Sequence, residues 1–296
     1  MGMGGANIVP GVSGGTIAFI TGIYEELITC IKSVDIEALK LLITGKFLPF
    51  WTKINGRFLV ILLFGVLAGL ISLAKLTSSL LVSHPIQLWS FFFGLIAISA
   101  LVVSRDIQKW GIQVILSLII GCTSAYLITE AAPAETPNNI PVIFGSGAIA
   151  ICSMILPGIS GSLILLILGK YSFILNALEE FDLGVLVVFT AGCLFGLVTF
   201  SRLISWLFKK YRDITIAILA GFMIGSLNKV WPWKETLTTF IDRHGTLKPL
   251  NQDNILPATY EALGNEAFVW HAIVFFVVGV GLVIFLEKLA SILKNG

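Results

Sequence analysis

Six apolar segments constrain this chain more than any other feature: residues 58–83, 86–104, 110–129, 183–208, 214–228 and 268–286. A helix rising 1.5 Å per residue needs about 20 apolar residues to cross a hydrocarbon core of about 30 Å. Five segments approach that length, and the fifth in order is cut short between Asp213 and Lys229. Composition agrees, with 56% hydrophobic and 12% charged residues, against about 25% charged in soluble domains. A net charge of +2 leaves no basic excess for a nucleic-acid backbone, so no nucleic-acid partner is expected. The chain reads as an all-α polytopic membrane protein.

Cys30, Cys122, Cys152 and Cys193 are isolated in apolar surroundings, and His84, His244 and His271 form no ligand-spaced group. No metal site is therefore expected. The first residues lack the charged n-region of a cleavable signal peptide. Residues 31–44 set Ile31, Val34, Ala38 and Leu41 against Lys32, Asp35, Glu37 and Lys40. That spacing predicts an amphipathic helix lying in the interface. Residues 229–267 are polar and form the long extramembrane loop.

Residues 136–169 carry no charge, but Pro157-Gly158 divides them into pieces 141–156 and 159–169. Together the pieces are too long for one crossing, and the second alone is too short. A hairpin entering and leaving by one face, about 141–176, fits better. Pro10-Gly11 makes the same break near the N-terminus. VPGVSGGTIAFITGIY (9–24) aligns with LPGISGSLILLILGKY (156–171) at an offset of 147. GVLAGLISLAKLTSSL (65–80) aligns with GCLFGLVTFSRLISWL (192–207) at an offset of 127, and Gly94 and Gly221 continue that register. The chain thus divides into two homologous halves, 1–130 and 131–296. Each is a re-entrant hairpin followed by three transmembrane helices. Only nine residues precede Pro10. Either the first hairpin is incomplete, or the natural N-terminus lies upstream of Met1.

Three spans separate the hairpins, so they enter from opposite faces and the repeats are inverted. Charge tests this independently. With hairpins, 13 Lys and Arg fall in short connections on one side and 2 on the other, with 4 in the long loop. With single broken spans the same count is 8 against 7. The positive-inside rule selects the hairpins and makes both termini cytoplasmic. Glu130, Glu135, Glu179, Glu180 and Asp182 then face outward.

Inverted repeats with broken helices are a transporter architecture. At each break Pro stops one helix, Gly permits a tight turn, and Ser caps the next half-helix. Unpaired N–H groups and the positive dipole end there favour an anion. Ser13, Gly14, Gly15 and Thr16, with Ser160, Gly161 and Ser162, are the candidate phosphate-binding residues. The competing reading is that small residues let helices pack closely. Lys75 and Arg202 occupy matching places in the repeat, each the sole charge within an apolar segment. They are either one phosphate-attracting cation per leaflet or anchors snorkelling to headgroups. Glu25 follows the first motif and either caps the interface or carries a coupling proton. Tyr24 and Tyr171 are interfacial anchors or ligand donors. Trp231-Pro232-Trp233 suits an aromatic belt.

The first motif with GIYEEL (22–27), the second PGISGS (157–162) and GSLNKVWPWK (225–234) resemble the PopT-type polyprenyl-phosphate transporters over nearly the whole chain. The resemblance implies return of undecaprenyl phosphate from the outer to the cytoplasmic leaflet of a bacterial plasma membrane, recycling the carrier for cell-wall synthesis. The partners it implies are that lipid and the surrounding membrane lipids, and a homo-oligomer is left open. No cofactor is expected beyond a coupling proton or ion. One alternative is a carrier of a small anionic solute. Another is a lipid-pyrophosphate phosphatase, which shares a Pro-Gly-x-Ser motif. Those enzymes place arginine after that serine, where this chain has Gly161, and acidic residues before the first motif, where none precedes Glu25. The chain is therefore expected not to be hydrolytic.

Overall fold

The computed structural model describes residues 1–8, 13–134, 136–241 and 247–295. The Pro10-Gly11 break and Glu135 lie outside the described residues. The first half contains α1 (Gly2–Ile8), α2 (Gly14–Ile20), α3 (Tyr24–Lys32), α4 (Ile36–Ile43), α5 (Phe47–Lys53), α6 (Gly56–Ser83), α7 (Pro85–Ser104) and α8 (Ile112–Glu130). The second contains α9 (Ile140–Ile155), α10 (Gly161–Ile167), α11 (Tyr171–Glu179), α12 (Leu183–Lys210) and α13 (Arg212–Ser226). After a 3₁₀ turn at Leu227–Val230 come strands β1 (Lys234–Ile241) and β2 (Leu247–Asn254), then α14 (Pro257–Ala262) and α15 (Val269–Asn295). Among the described residues six helices are long and apolar enough to cross a membrane, or up to eight spans if each bent pair counts as one.

Local sequence explains most boundaries. Asn139 accepts the amide of Val142 at 3.1 Å to start α9, and Asp182 accepts that of Val185 at 3.2 Å to start α12. Asp35 accepts from Ala38 at 2.8 Å and so starts α4. That cap divides the expected 31–44 helix into α3 and α4, because residues 33–35 turn to present the carboxylate. Lys53 of α5 pairs with Asp35 at 2.9 Å and also with Glu37, holding α5 to α4. Ile36, Ile43, Phe47 and Leu48 stay exposed along this pair. The long loop 229–267 carries the antiparallel β1–β2 ribbon. Trp231 donates to the carbonyl of Ile255 at 2.9 Å, and Trp233 to that of Ala267 at 2.8 Å. Trp233, only 8% exposed, packs with Ile86 of α7, with Ala267 and with Ala272 of α15.

Helix pairing follows a repeated scheme. α6 packs on α1 and α12 on α9, while α7 packs on α15 and α8 on α13. At the crossings glycine faces backbone. A β-carbon at Gly192 would strike the carbonyl of Phe144, at Gly221 that of Leu118, and at Gly94 that of Phe276. Lipid tails are as apolar as leucine, so close van der Waals packing must hold such crossings. α7 and α13 are the central spans, each 56% buried over its apolar window, while α6 and α12 are the outermost at 6% and 11%.

The short helices also match. Gly22 and Gly169, at φ 71° and 65°, end α2 and α10 in the left-handed region. Ile23 then bonds back to Ala18 at 3.0 Å and Lys170 to Leu165 at 2.8 Å, the helix-ending geometry that favours glycine. Beyond these turns α3 bends 117° from α2, and α11 bends 108° from α10. The end of α10 is tied to the segment before α9: Ala134 donates to Ile167 at 2.7 Å, and the Thr136 hydroxyl to Leu168 at 2.6 Å.

Candidate functional site

The two Ser-Gly motifs meet in the interior. Ser13 caps α2, its Oγ accepting the amide of Gly15 at 3.0 Å. Ser160 caps α10, accepting from Leu163 at 3.3 Å and lying 3.1 Å from the Ser162 hydroxyl. Between the motifs, Ser13 Oγ donates to the carbonyl of Met154 at 3.3 Å, and the Gly158 amide donates to Thr16 Oγ1 at 3.2 Å. Ser13, Thr16 and Ser160 are buried, at 1%, 0% and 7% exposure. Gly15 allows this approach, since a β-carbon there would lie 2.7 Å from the carbonyl of Ile155. Gly158, at φ 91°, turns the chain beneath Ser226 and Phe222 of α13.

The two half-helix starts differ in what fills them. The Gly14 amide donates to Asn7 Oδ1 at 2.7 Å, and the Thr16 amide to the Ser13 carbonyl at 3.0 Å. With Gly15 bound to Ser13, the expected first cradle is filled by the protein's own acceptors in this structure. At the second, the position equivalent to Asn7 is Met154, whose side chain lies against Gly161. A thioether is at best a weak acceptor, so α10 receives no comparable side-chain amide.

Other expected site residues are not brought to this junction. Lys75 and Arg202 are exposed on the outermost helices, α6 and α12. Glu25 pairs with Arg212 at 2.7 Å, joining the start of α3 to the turn between α12 and α13. With both side chains about half exposed, that pair contributes little to stability. Tyr24 is buried, packed with the rings of Phe19 and Phe208, whereas Tyr171 is 37% exposed. The Tyr24 hydroxyl is the one buried side-chain polar atom without a hydrogen-bond partner among the described residues.

Sequence reading passed over Asn7 and Lys170. Lys170 is fully buried, and its amine donates to the Thr136 carbonyl at 2.6 Å and to Asn138 Oδ1 at 2.5 Å. The signal for it was present: Lys170 closes the second motif and is the first charge after a long uncharged stretch. Counted only as a connecting residue, it gave no hint of burial.

Residues 3–248 match the family described as VCA0040-like, undecaprenyl phosphate translocase-like. A polyprenyl-phosphate transporter of Vibrio cholerae is 46% identical over 98% of this chain and 94% of its own length. A polyprenyl-phosphate transporter of Staphylococcus aureus is 31% identical over 81% of this chain and 89% of its own. No solved structure matches the chain. Because the family match and both relatives run through most of the sequence, the chain belongs to the undecaprenyl phosphate translocase-like family.

Proposed function

We propose that this protein carries undecaprenyl phosphate from the outer to the cytoplasmic leaflet of a bacterial plasma membrane without hydrolysing it. The observation that carries this reading is the meeting of two capped half-helices, α2 and α10, inside a body of apolar spans. A phosphate released from headgroups needs polar partners at depth, and its isoprenoid tail can stay in lipid. The printed names of both relatives agree with a polyprenyl-phosphate substrate. In proteoliposomes the protein is expected to move labelled undecaprenyl phosphate between leaflets with no release of phosphate. Folded protein that moves none, or that frees phosphate, overturns this reading.

Alternating access by two inverted repeats, 1–130 and 131–296, each a re-entrant hairpin with three spans, is the mechanism we infer. Its support is the matched packing: Gly94 and Gly221, aligned in sequence, sit on equivalent crossings, and α6–α12 and α7–α13 share their degrees of burial. Charge supports cytoplasmic termini, with 13 basic residues against 2 in short connections. Cysteine replacing Thr239 in a cysteine-free variant should react with an impermeant reagent in intact cells, and one replacing Lys109 should not. The reverse pattern inverts the orientation.

Within this mechanism Ser13, Gly14, Gly15 and Thr16 face Ser160, Gly161 and Ser162 across the path of the phosphate. Lys75 and Arg202, on lipid-facing helices, are suited to meet a phosphate arriving from the membrane, one in each leaflet. Lys75→Gln is expected to slow capture from the outer leaflet several-fold, and Arg202→Gln exchange at the inner one. Arg202→Lys should restore charge but not a bidentate grip. Leaflet-resolved uptake at wild-type rates in both directions would make both residues anchors. Glu25, held by Arg212 and close to Tyr24, is assigned to closing the cytoplasmic side. Tyr171, the exposed counterpart of Tyr24 in the second repeat, is assigned the same part in the other half.

A further inference from the structure

A second polar cluster lies where α7, α8, α13 and the β1–β2 ribbon converge, starting two residues beyond the Ser226 that packs on Gly158. Asn228 donates to the Glu130 carboxylate at the end of α8. Asn254, closing β2, donates to the backbone and side-chain oxygens of Asn228 at 2.8 and 2.6 Å. The Lys234 amine donates to the Lys229 carbonyl at 2.6 Å and stands 4.7 Å from the centre of the Trp89 ring. One turn further along α7, Phe93 begins a 380 Å³ pocket whose walls include Leu227, Asn228, Trp231, Asn254 and Ile255. The pocket is therefore apolar on one side and amide-lined on the side joined to the cluster.

Lys229 and Lys234 both feel the field of Glu130, and that carboxylate already accepts from Asn228. Burial, then the neighbouring Lys229, lowers Lys234 to about 7. Glu235 and Asp253 pair across the ribbon one residue from Lys234 and Asn254, and an incoming anion near the two amines would favour the charged amine. An aromatic and aliphatic pocket lined by Asn228 and Asn254, with Lys229 next to Asn228 in sequence and the Lys234 amine bonded to the Lys229 carbonyl, suits an anion joined to an apolar chain.

We propose that Lys229 and Lys234, with Asn228 and the Phe93–Trp231 pocket, form a receptor for a phosphate monoester headgroup on the face opposite the chain termini. This rests on the translocase reading and its orientation, and makes the cluster the station at which the lipid is first held. It assigns initial capture to GSLNKVWPWK as well as to Lys75. Recognition there is a charge-assisted contact between phosphate oxygens and two amines, with the first isoprenoid carbons against Phe93, Trp231 and Ile255.

Binding of farnesyl phosphate, inorganic phosphate and farnesol to the purified full chain tests this by calorimetry. The paired variant Lys229→Gln, Lys234→Gln should bind farnesyl phosphate at least tenfold more weakly, with farnesol binding unchanged. Lys234→Arg, which retains charge whatever its burial, should bind within about threefold of wild type and shows that the fold tolerates a changed residue 234. Tighter binding of farnesyl phosphate than of inorganic phosphate assigns the site to the lipid, and equal binding assigns it to free phosphate. Unchanged affinity in the paired variant, or no binding by wild type, overturns the proposal. Wild-type lipid binding lost in the paired variant, but with no transbilayer movement by wild type, would sink the translocase reading and leave the site standing.

Discussion

Alanine at Gly192 is expected to destabilise the protein strongly, while alanine at Gly145 is expected to be neutral or slightly stabilising. Both positions lie in the α9–α12 pair and receive the same added methyl. At Gly145 nothing stands within 4 Å of the new β-carbon, whereas at Gly192 it runs into the Phe144 carbonyl. A flexible side chain could move aside, but a helical carbonyl cannot without separating the two helices. Overpacking of this kind costs about 1–3 kcal/mol, occasionally more, against a helix-propensity gain of about 1 kcal/mol for Gly→Ala. Gly221→Ala and Gly94→Ala should follow Gly192, because they meet the Leu118 and Phe276 carbonyls on the other crossings. Thermal unfolding in detergent, read beside folded yield, decides the matter. Equal stability of the Gly145 and Gly192 variants would mean that backbone contact does not hold these helices.

Thr16→Val should reduce transport on the order of tenfold or more, and Thr16→Ser should leave it near wild type. Thr16 is fully buried, and its hydroxyl accepts the amide of Gly158 from the other motif. Valine keeps the shape but leaves that N–H without a partner, at a cost of about 1–3 kcal/mol. Each 1.4 kcal/mol is about a tenfold change in an equilibrium, so the balance between motif arrangements should shift measurably. Serine retains the acceptor and loses only a methyl group. Transbilayer movement of labelled lipid, with folding checked by size-exclusion profile, is the measurement. Wild-type transport by the valine variant would remove this junction from the transport path.

Much of the candidate site was legible in one dimension. Pro157-Gly158 and the serines that follow each break are local signals: a ring without an N–H, a turn without a β-carbon, a hydroxyl able to cap. Ser13 and Ser160 accordingly cap α2 and α10. The Gly22 and Gly169 turns follow from the same logic, because the repeat carries its own helix stops. Less local features were not legible. That Asn7 fills the start of α2 depends on where α1 leans, and that Lys170 is buried depends on Thr136 and Asn138 lying against it. Asp35, read only as a polar position of one helix over 31–44, caps α4 and divides that stretch.

The sequence by itself determined that this chain has membrane-crossing helices, where most of them begin and end, and that two segments recur, one 147 and the other 127 residues on. Length, charge and caps act within a few residues or against the bilayer, so no fold is needed to read them. Only the tertiary structure decided which faces of those helices touch. In water an apolar stripe marks the buried side, but a lipid-facing side is equally apolar, so periodicity does not separate them. That is why Lys75 and Arg202 could be placed near the phosphate path by symmetry and yet lie exposed on the outermost helices. It is also why the contact of Thr16 with Gly158, 142 residues apart, emerges only when close helix crossings bring α2 and the start of α10 together.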